Sequence, residues 1–170
     1  EARSATGSLL QGSGVVFNHG LDTDRKPVSS WIATNAHVVR AAERVIVRQR
    51  NQQTAAEVVY VDDEFDLAIL HTESKVFPKA SIELTATPSI GEPVFAIGAP
   101  LGLEQTITQG IISSIRTENN ATLLQFSAAI SSGNSGGGLF DSRARLLGIT
   151  TFKLKGGENL NFAFDSKHVN

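Results

Sequence analysis

The sequence predicts an all-β protein of antiparallel strands arranged in two halves of similar length. Three observations carry this prediction. Runs rich in Val, Ile, Thr, Leu and Phe recur at 13–17, 31–34, 44–48, 55–61, 67–71, 93–97, 105–115, 122–127, 138–140, 146–152 and 159–164. Their spacing, roughly 8–12 residues, is that of a sandwich or barrel rather than of βαβ units. Glycine, 15 of 170 residues, exceeds the average of about 7 % and suits tight turns between strands.

In the first half, apolar residues alternate with polar ones at Val45 and Val47 and again at Val59 and Val61, the two-residue period of a strand with one buried face. The polar stretch 18–27, which contains His19, reads as an exposed hairpin loop. Only 36–44 and the tail from 165 are suited to helical turns. Between 72 and 92, Pro78, Pro88 and Gly91 break the strand pattern, which sets a boundary between an N-terminal unit, 1–85, and a C-terminal unit, 86–170. A ligand is expected in the cleft between the two.

Composition excludes several classes of function. Fifteen Lys plus Arg against 17 Asp plus Glu give a net charge of −2, without the basic footprint of a nucleic-acid partner. Cysteine is absent, so disulfides, thiolate catalysis and iron–sulfur clusters are excluded. The histidines at 19, 37, 71 and 168 have no metal-ligand spacing; no metal and no cofactor is expected. No apolar run approaches the ~18 residues of a membrane span. Methionine is absent, even at position 1, so the chain is expected to be a processed or trimmed piece, and residues 1–7 lack the pattern of a signal peptide.

Three motifs carry chemistry. In Gly133-Asn134-Ser135-Gly136-Gly137 a serine sits on a turn whose backbone N–H groups can converge on one point, as an oxyanion requires. Ser135 is the candidate nucleophile, and the loop Gly133, Asn134, Ser135 supplies the oxyanion site, chiefly through the N–H groups of Gly133 and Ser135. A solvated glycine-rich turn fits this motif alone equally well. Thr34-Asn35-Ala36-His37 places a histidine at a strand end, where it can face a cleft as general base; a core-edge histidine is the plainer reading. Asp66-Leu67-Ala68-Ile69-Leu70 puts an acid before an apolar strand, where it can orient an imidazole, with Asp62 and Asp63 as competitors. Gly133-x-Ser135-x-Gly137 also matches the nucleophile elbow of α/β-hydrolases, but that fold places its acid and histidine after the serine. Here the order is His37, Asp66, Ser135, which matches the chymotrypsin arrangement.

The chain resembles the protease domain of the HtrA/DegP family of trypsin-like serine endopeptidases. The matching stretches are GSGVVF (12–17), TNAHVV (34–39), DLAIL (66–70), GEPVFAIGAPLGLEQTITQGIISSI (91–115), GNSGG (133–137), LLGITT (146–151) and NFAF (161–164). The resemblance implies two six-stranded antiparallel β-barrels with the active site between them, His37 as base, Asp66 as its orienter and Ser135 as nucleophile. It further implies an unfolded or extended polypeptide substrate, a role in protein quality control, an extracytoplasmic home such as a bacterial periplasm, and a homo-oligomer, a trimer in the family. Because residues 1–11 carry no aromatic residue for such packing, a monomer is also compatible with the sequence. A resting or silent protein-binding module on the same fold is the competing reading.

In the trypsin-like frame the pocket before the cleaved bond has Ala129 at its base, Ile130 on one wall and Thr150, Thr151 and Phe152 on the other. No acid sits at that base, so a Val, Ala, Leu or Ile side chain is expected there. Residues 101–108 resemble a regulatory loop of the family. The family usually has Pro after GNSGG where this chain has Gly138, from which a more mobile nucleophile loop is expected. A switch of the loop 131–134 between formed and collapsed oxyanion sites is expected to regulate the enzyme.

Overall fold

The computed structural model describes residues 1–4, 9–73, 75–82, 88–99, 105–118, 121–153 and 160–169. The first sheet contains β1 (Ala2–Ser4), β2 (Leu9–Leu10), β3 (Val15–Leu21), β4 (Pro27–Thr34), β5 (Ala42–Gln49), β6 (Gln52–Asp62) and β7 (Leu67–Thr72). Its seven strands run in the order β2-β1-β5-β6-β7-β4-β3, every neighbour antiparallel. The one α-helical turn among the described residues, α1 (Ala36–Val39), follows β4 directly.

The second sheet contains β8 (Ser81–Ile82), β9 (Pro93–Gly98), β10 (Thr106–Glu118), β11 (Ala121–Phe126), β12 (Gly138–Asp141), β13 (Arg145–Lys153) and β14 (Asn161–Asp165). Its order is β12-β9-β10-β11-β14-β13-β8, and a further β12–β13 ladder closes six of these strands into an antiparallel barrel. β8 is an added edge, parallel to β13. A closing ladder has the effect of removing the exposed edges at which a sheet would recruit another chain. A 3-10 turn, Ser166–Val169, ends the described chain. Among the described residues no helix is long and apolar enough to cross a membrane.

Period-two patterning decides which face is buried. On β9, Val94 and Ala96 are buried and Phe95 and Ile97 half-buried; Val94 and Ala96 join Ile112, Leu124, Phe126, Leu139, Leu147 and Ala163 in the barrel core. The first sheet wraps Ile32, Val38, Val39, Val45, Ala68, Leu70 and Phe77. A third cluster spans the two: Val15, Ala33 and Leu67 from the first sheet pack with Leu146 and Ile149 from the second. Phe65 meets Phe164 edge-on across the same seam, centroids 6.0 Å apart. This seam fixes the two sheets to each other, and the candidate site straddles it.

Every strand expected from the sequence is present; β1, β2 and β8, two or three residues each, are too short for alternation to show. Two expectations are corrected. Val59 and Val61 mark no buried face: a bulge between Val58 and Tyr60 shifts the register of β6, and both valines are exposed. The stretch 18–27 is not a loop: β3 continues through His19 to Leu21, and only 22–26 turn, with the Asp22 carboxylate accepting the N–H groups of Asp24 and Lys26. Bulges after Val16 and Gly20 disrupt the alternation that would have marked the strand. His19 bonds the Phe77 carbonyl through Nε2 at 2.8 Å, and His71 stacks on Trp31 and bonds Ser29. The regulatory-loop assignment falls mostly on 101–104, outside the described residues.

Candidate active site

β4 delivers the histidine. The strand ends at Thr34, Asn35 takes an extended conformation (φ −84°, ψ 145°), and the helical turn that follows buries Ala36, Val38 and Val39. His37 is left as the turn's outward residue, its side chain 47 % exposed.

Asp66 is delivered by the tight turn before β7, where the Asp62 carboxylate accepts the N–H groups of Glu64 and Phe65. It has φ +47°, a left-handed conformation that Asp tolerates better than most residues but that still costs about 1–2 kcal/mol. The conformation lets one residue serve several partners. The Asp66 carbonyl accepts from Ala36 N–H at 3.0 Å and from Asn35 Nδ2 at 2.9 Å. Its Oδ1 accepts from the His37 N–H at 2.9 Å, and its Oδ2 from His37 Nδ1 at 2.7 Å and Thr151 Oγ1 at 2.7 Å. Burial pushes the carboxyl up, but the hydrogen bonds from His37 and Thr151 and the His37 charge outweigh it and hold the group below its ordinary 3.8. A carboxylate only accepts, so the ring nitrogen facing it, Nδ1, carries a proton, and in the neutral form of the ring the lone pair is on Nε2.

The serine comes from the loop between β11 and β12. Gly133 has φ +97° and Gly136 φ +84°. A Cβ on Gly136 would lie 2.2 Å from the Ser13 carbonyl oxygen and 2.3 Å from Thr34 Oγ1, so no larger residue fits. The carbonyls of Asn134 and Ser135 are both held: the first accepts from Gly137 N–H and Thr150 Oγ1, the second from Ser13 N–H. Asn134 N–H donates to Ser131 O at 3.0 Å. The Asn134 amide is therefore engaged within the loop itself. The N–H groups of Gly133 and Ser135 have no acceptor among the described residues.

Thr151 joins the parts. Its hydroxyl donates to Asp66 Oδ2 while its carbonyl accepts from Ser135 Oγ at 3.3 Å. A register shift between Thr150 and Phe152 places the residue in a bulge of the β13–β14 ladder, the device by which a strand re-aims a side chain. The structure thus brings Asp66 beside His37 directly and beside Ser135 through Thr151.

The pocket residues are distributed unevenly. Ala129 is exposed and Ile130 packs partly against the barrel core. Thr150 is 1 % exposed, its hydroxyl shared between Asn134 O and Gly137 O at 2.7 and 3.1 Å, so it braces the serine loop. Phe152 lies in β13, and its side chain is outside the described residues. A Cβ on Gly138, the residue replacing proline, would meet the Phe140 ring at 2.3 Å. Beside the loop lies an open hollow lined by Leu9, Leu10, Gln11, Ser132 and Gly133. Sequence reasoning missed the bonding roles of Thr151, Asn35 and Ser13. Only Ser13 left a signal, its place between two glycines.

Two antiparallel sheets, one closed into a barrel, with histidine and acid on one side of their seam and serine on the other, define the two-barrel class of serine peptidases. Residues 12–149 match the trypsin-like peptidase domain, and the chain belongs to that family. It is 37 % identical to the serine protease Do-like HtrA of Lactobacillus helveticus, over 94 % of this chain and 41 % of that protein. It is 36 % identical to a probable periplasmic serine endoprotease DegP-like of Hahella chejuensis, over 71 % of this chain and 27 % of that protein. The crystal structure of a serine endoprotease from Yersinia pestis superposes with a TM-score of 0.83 at 35 % identity, covering 99 % of this chain and 58 % of that one. The chain therefore spans well under half the length of these two curated relatives.

Proposed function

We propose that this chain is the catalytic domain of a serine endopeptidase in which His37, Asp66 and Ser135 form the triad. The observation that carries the reading is the meeting at Thr151: one residue bonds both the acid that holds His37 and the hydroxyl of Ser135. In the proposed reaction Ser135 Oγ attacks the scissile carbonyl as His37 Nε2 takes its proton. Asp66 holds the tautomer and stabilises the imidazolium. The oxyanion is received by the N–H groups of Gly133 and Ser135. His37 then protonates the leaving amine, and water repeats the sequence to free Ser135.

The substrate is an extended or unfolded polypeptide. Thr150 already pairs with Gly136 and Gly137 through both its backbone groups, so the β13 edge open to a substrate strand begins at Thr151. Ala129 and Ile130 form an uncharged pocket for a small aliphatic side chain. The relatives named for the periplasm support an extracytoplasmic location, and protein quality control is the role that the family resemblance implies.

Fluorophosphonate labelling with peptide mapping, run beside casein cleavage on wild type and Ser135→Ala, tests the reading. Modification confined to Ser135, and cleavage lost in the variant, is expected. A folded wild type that neither labels nor cleaves, with or without unfolded polypeptide, would overturn it. A second reading, a resting enzyme, is favoured by the Ser135 hydroxyl bonding Thr151 O rather than His37; labelling that begins only when unfolded polypeptide is added distinguishes it.

A further inference from the structure

Ser13 lies 120 residues from the serine loop in sequence and touches it through both backbone and side chain. Its N–H donates to Ser135 O at 2.8 Å, and its carbonyl accepts from Thr34 Oγ1 at 2.7 Å. Its hydroxyl accepts from Ala99 N–H at 2.8 Å and donates to Gly133 O at 2.7 Å. The Ala99 amide occupies the oxygen's lone-pair side, which leaves the hydroxyl proton aimed at Gly133. The close passage is enforced by Gly12, where a Cβ would fall 2.7 Å from Val38 Cγ1 and 3.1 Å from Ser135 O.

The consequence falls on the two unengaged amides. Gly133 O is held by Ser13 Oγ, Asn134 O by Gly137 and Thr150, and Ser135 O by Ser13 N–H, so the peptide planes 133–134, 134–135 and 135–136 are anchored, and the first of them lies between the two planes that carry the Gly133 and Ser135 N–H groups. Glycine at φ +97° has no side chain to resist rotation, so Gly133 depends on an outside contact for its orientation. Ser13 Oγ is the contact the structure provides.

We propose that Ser13 is a positioning residue for the oxyanion site: its hydroxyl, fixed by Ala99 N–H, anchors the Gly133 carbonyl and so keeps the N–H groups of Gly133 and Ser135 convergent. This rests on the peptidase reading above. The role is separate from that of the triad, because the Ser13 hydroxyl contacts neither His37 nor Asp66.

The test compares wild type, Ser13→Ala and Ser13→Thr, with turnover counted per site that fluorophosphonate labels at long times. Ser13→Ala keeps the backbone bonds and removes only the hydroxyl. Its kcat and labelling rate are expected to fall together by roughly 10- to 100-fold, less than the roughly 10²–10³ for losing an oxyanion donor outright. KM and the shape of the pH profile stay unchanged, and Ser13→Thr restores most of the loss. In ¹³C-labelled protein the Gly133 carbonyl resonance moves in Ser13→Ala and returns in Ser13→Thr, a readout independent of activity. A per-site kcat within about twofold of wild type, or an altered KM or pH profile with the Gly133 resonance unmoved, overturns the proposal. A wild type that neither labels nor turns over overturns the peptidase reading and the proposal with it, and the Gly133 resonance then shows whether the contact itself exists.

Discussion

Asp66 grips His37 at two points: Oδ2 accepts the imidazole Nδ1–H at 2.7 Å and Oδ1 accepts the same residue's backbone N–H at 2.9 Å. The ring is thereby fixed in position and in tautomer by one carboxylate, and the helical turn that carries it is tied to the same group.

Asp66→Asn tests that grip. Asn tolerates the left-handed backbone of this position, so the fold is retained. An amide cannot accept at both of its terminal atoms, and the tautomer preference of the ring reverses. Peptide turnover is expected to drop about 10⁴-fold, while circular dichroism shows an unchanged fold.

Thr151→Val keeps shape and removes one donor from Asp66 Oδ2. A hydrogen bond to a charged group contributes about 1.5 kcal/mol, so kcat is expected to fall about tenfold. The Asp66 carboxyl is depressed in the folded protein, so its stabilisation is present above the unfolded-state value and lost as pH falls through the folded one. Weakening the depression raises the folded value, and acid unfolding of Thr151→Val therefore starts at higher pH than in wild type.

Gly136→Ala and Gly91→Ala separate backbone strain from collision. Both glycines have a left-handed φ, +84° and +86°, but a Cβ at Gly91 meets nothing within 4 Å. Gly91→Ala is expected to cost about 1 kcal/mol. Gly136→Ala drives a methyl into the Ser13 carbonyl and is expected to cost more than about 3 kcal/mol and to abolish labelling at Ser135. Thermal unfolding of the two variants side by side checks the difference.

The β12–β13 turn is held by Asp141, whose side chain is 2 % exposed and bonds Arg145 Nε at 2.6 Å and the N–H groups of Arg143 and Arg145. Burial raises this carboxyl, but those bonds and the Arg145 charge hold it below 3.8. Asp141→Asn is expected to lose about 2–3 kcal/mol at neutral pH. The deficit shrinks as pH falls through the depressed value, because wild type then loses its carboxylate too. Denaturant titrations at neutral and strongly acid pH measure it.

The long strands were legible because Val94/Ala96 or Leu124/Phe126 must turn apolar atoms inward whatever their neighbours do. The candidates His37, Asp66 and Ser135 stand out in the sequence because each sits at a local feature, a strand end or a glycine turn. β3 beyond Phe17 was hidden by two bulges that break its period. The links made by Thr151 and Ser13 were hidden for a different reason. A hydroxyl carries no mark of its partner, and the partners here, Asp66 and Gly133, lie 85 and 120 residues away and meet only once both sheets have formed.

That the site straddles the seam between two sheets bears on how the protein is made. A ribosome delivers residues 36–72 well before 131–153, and N-terminal units fold first. On the proposed chemistry, the nascent first sheet carries a histidine with no alcohol to activate, and the emerging serine is an ordinary hydroxyl until Thr151 docks against Asp66. On that chemistry, hydrolytic power belongs to the completed two-sheet fold and to neither half alone.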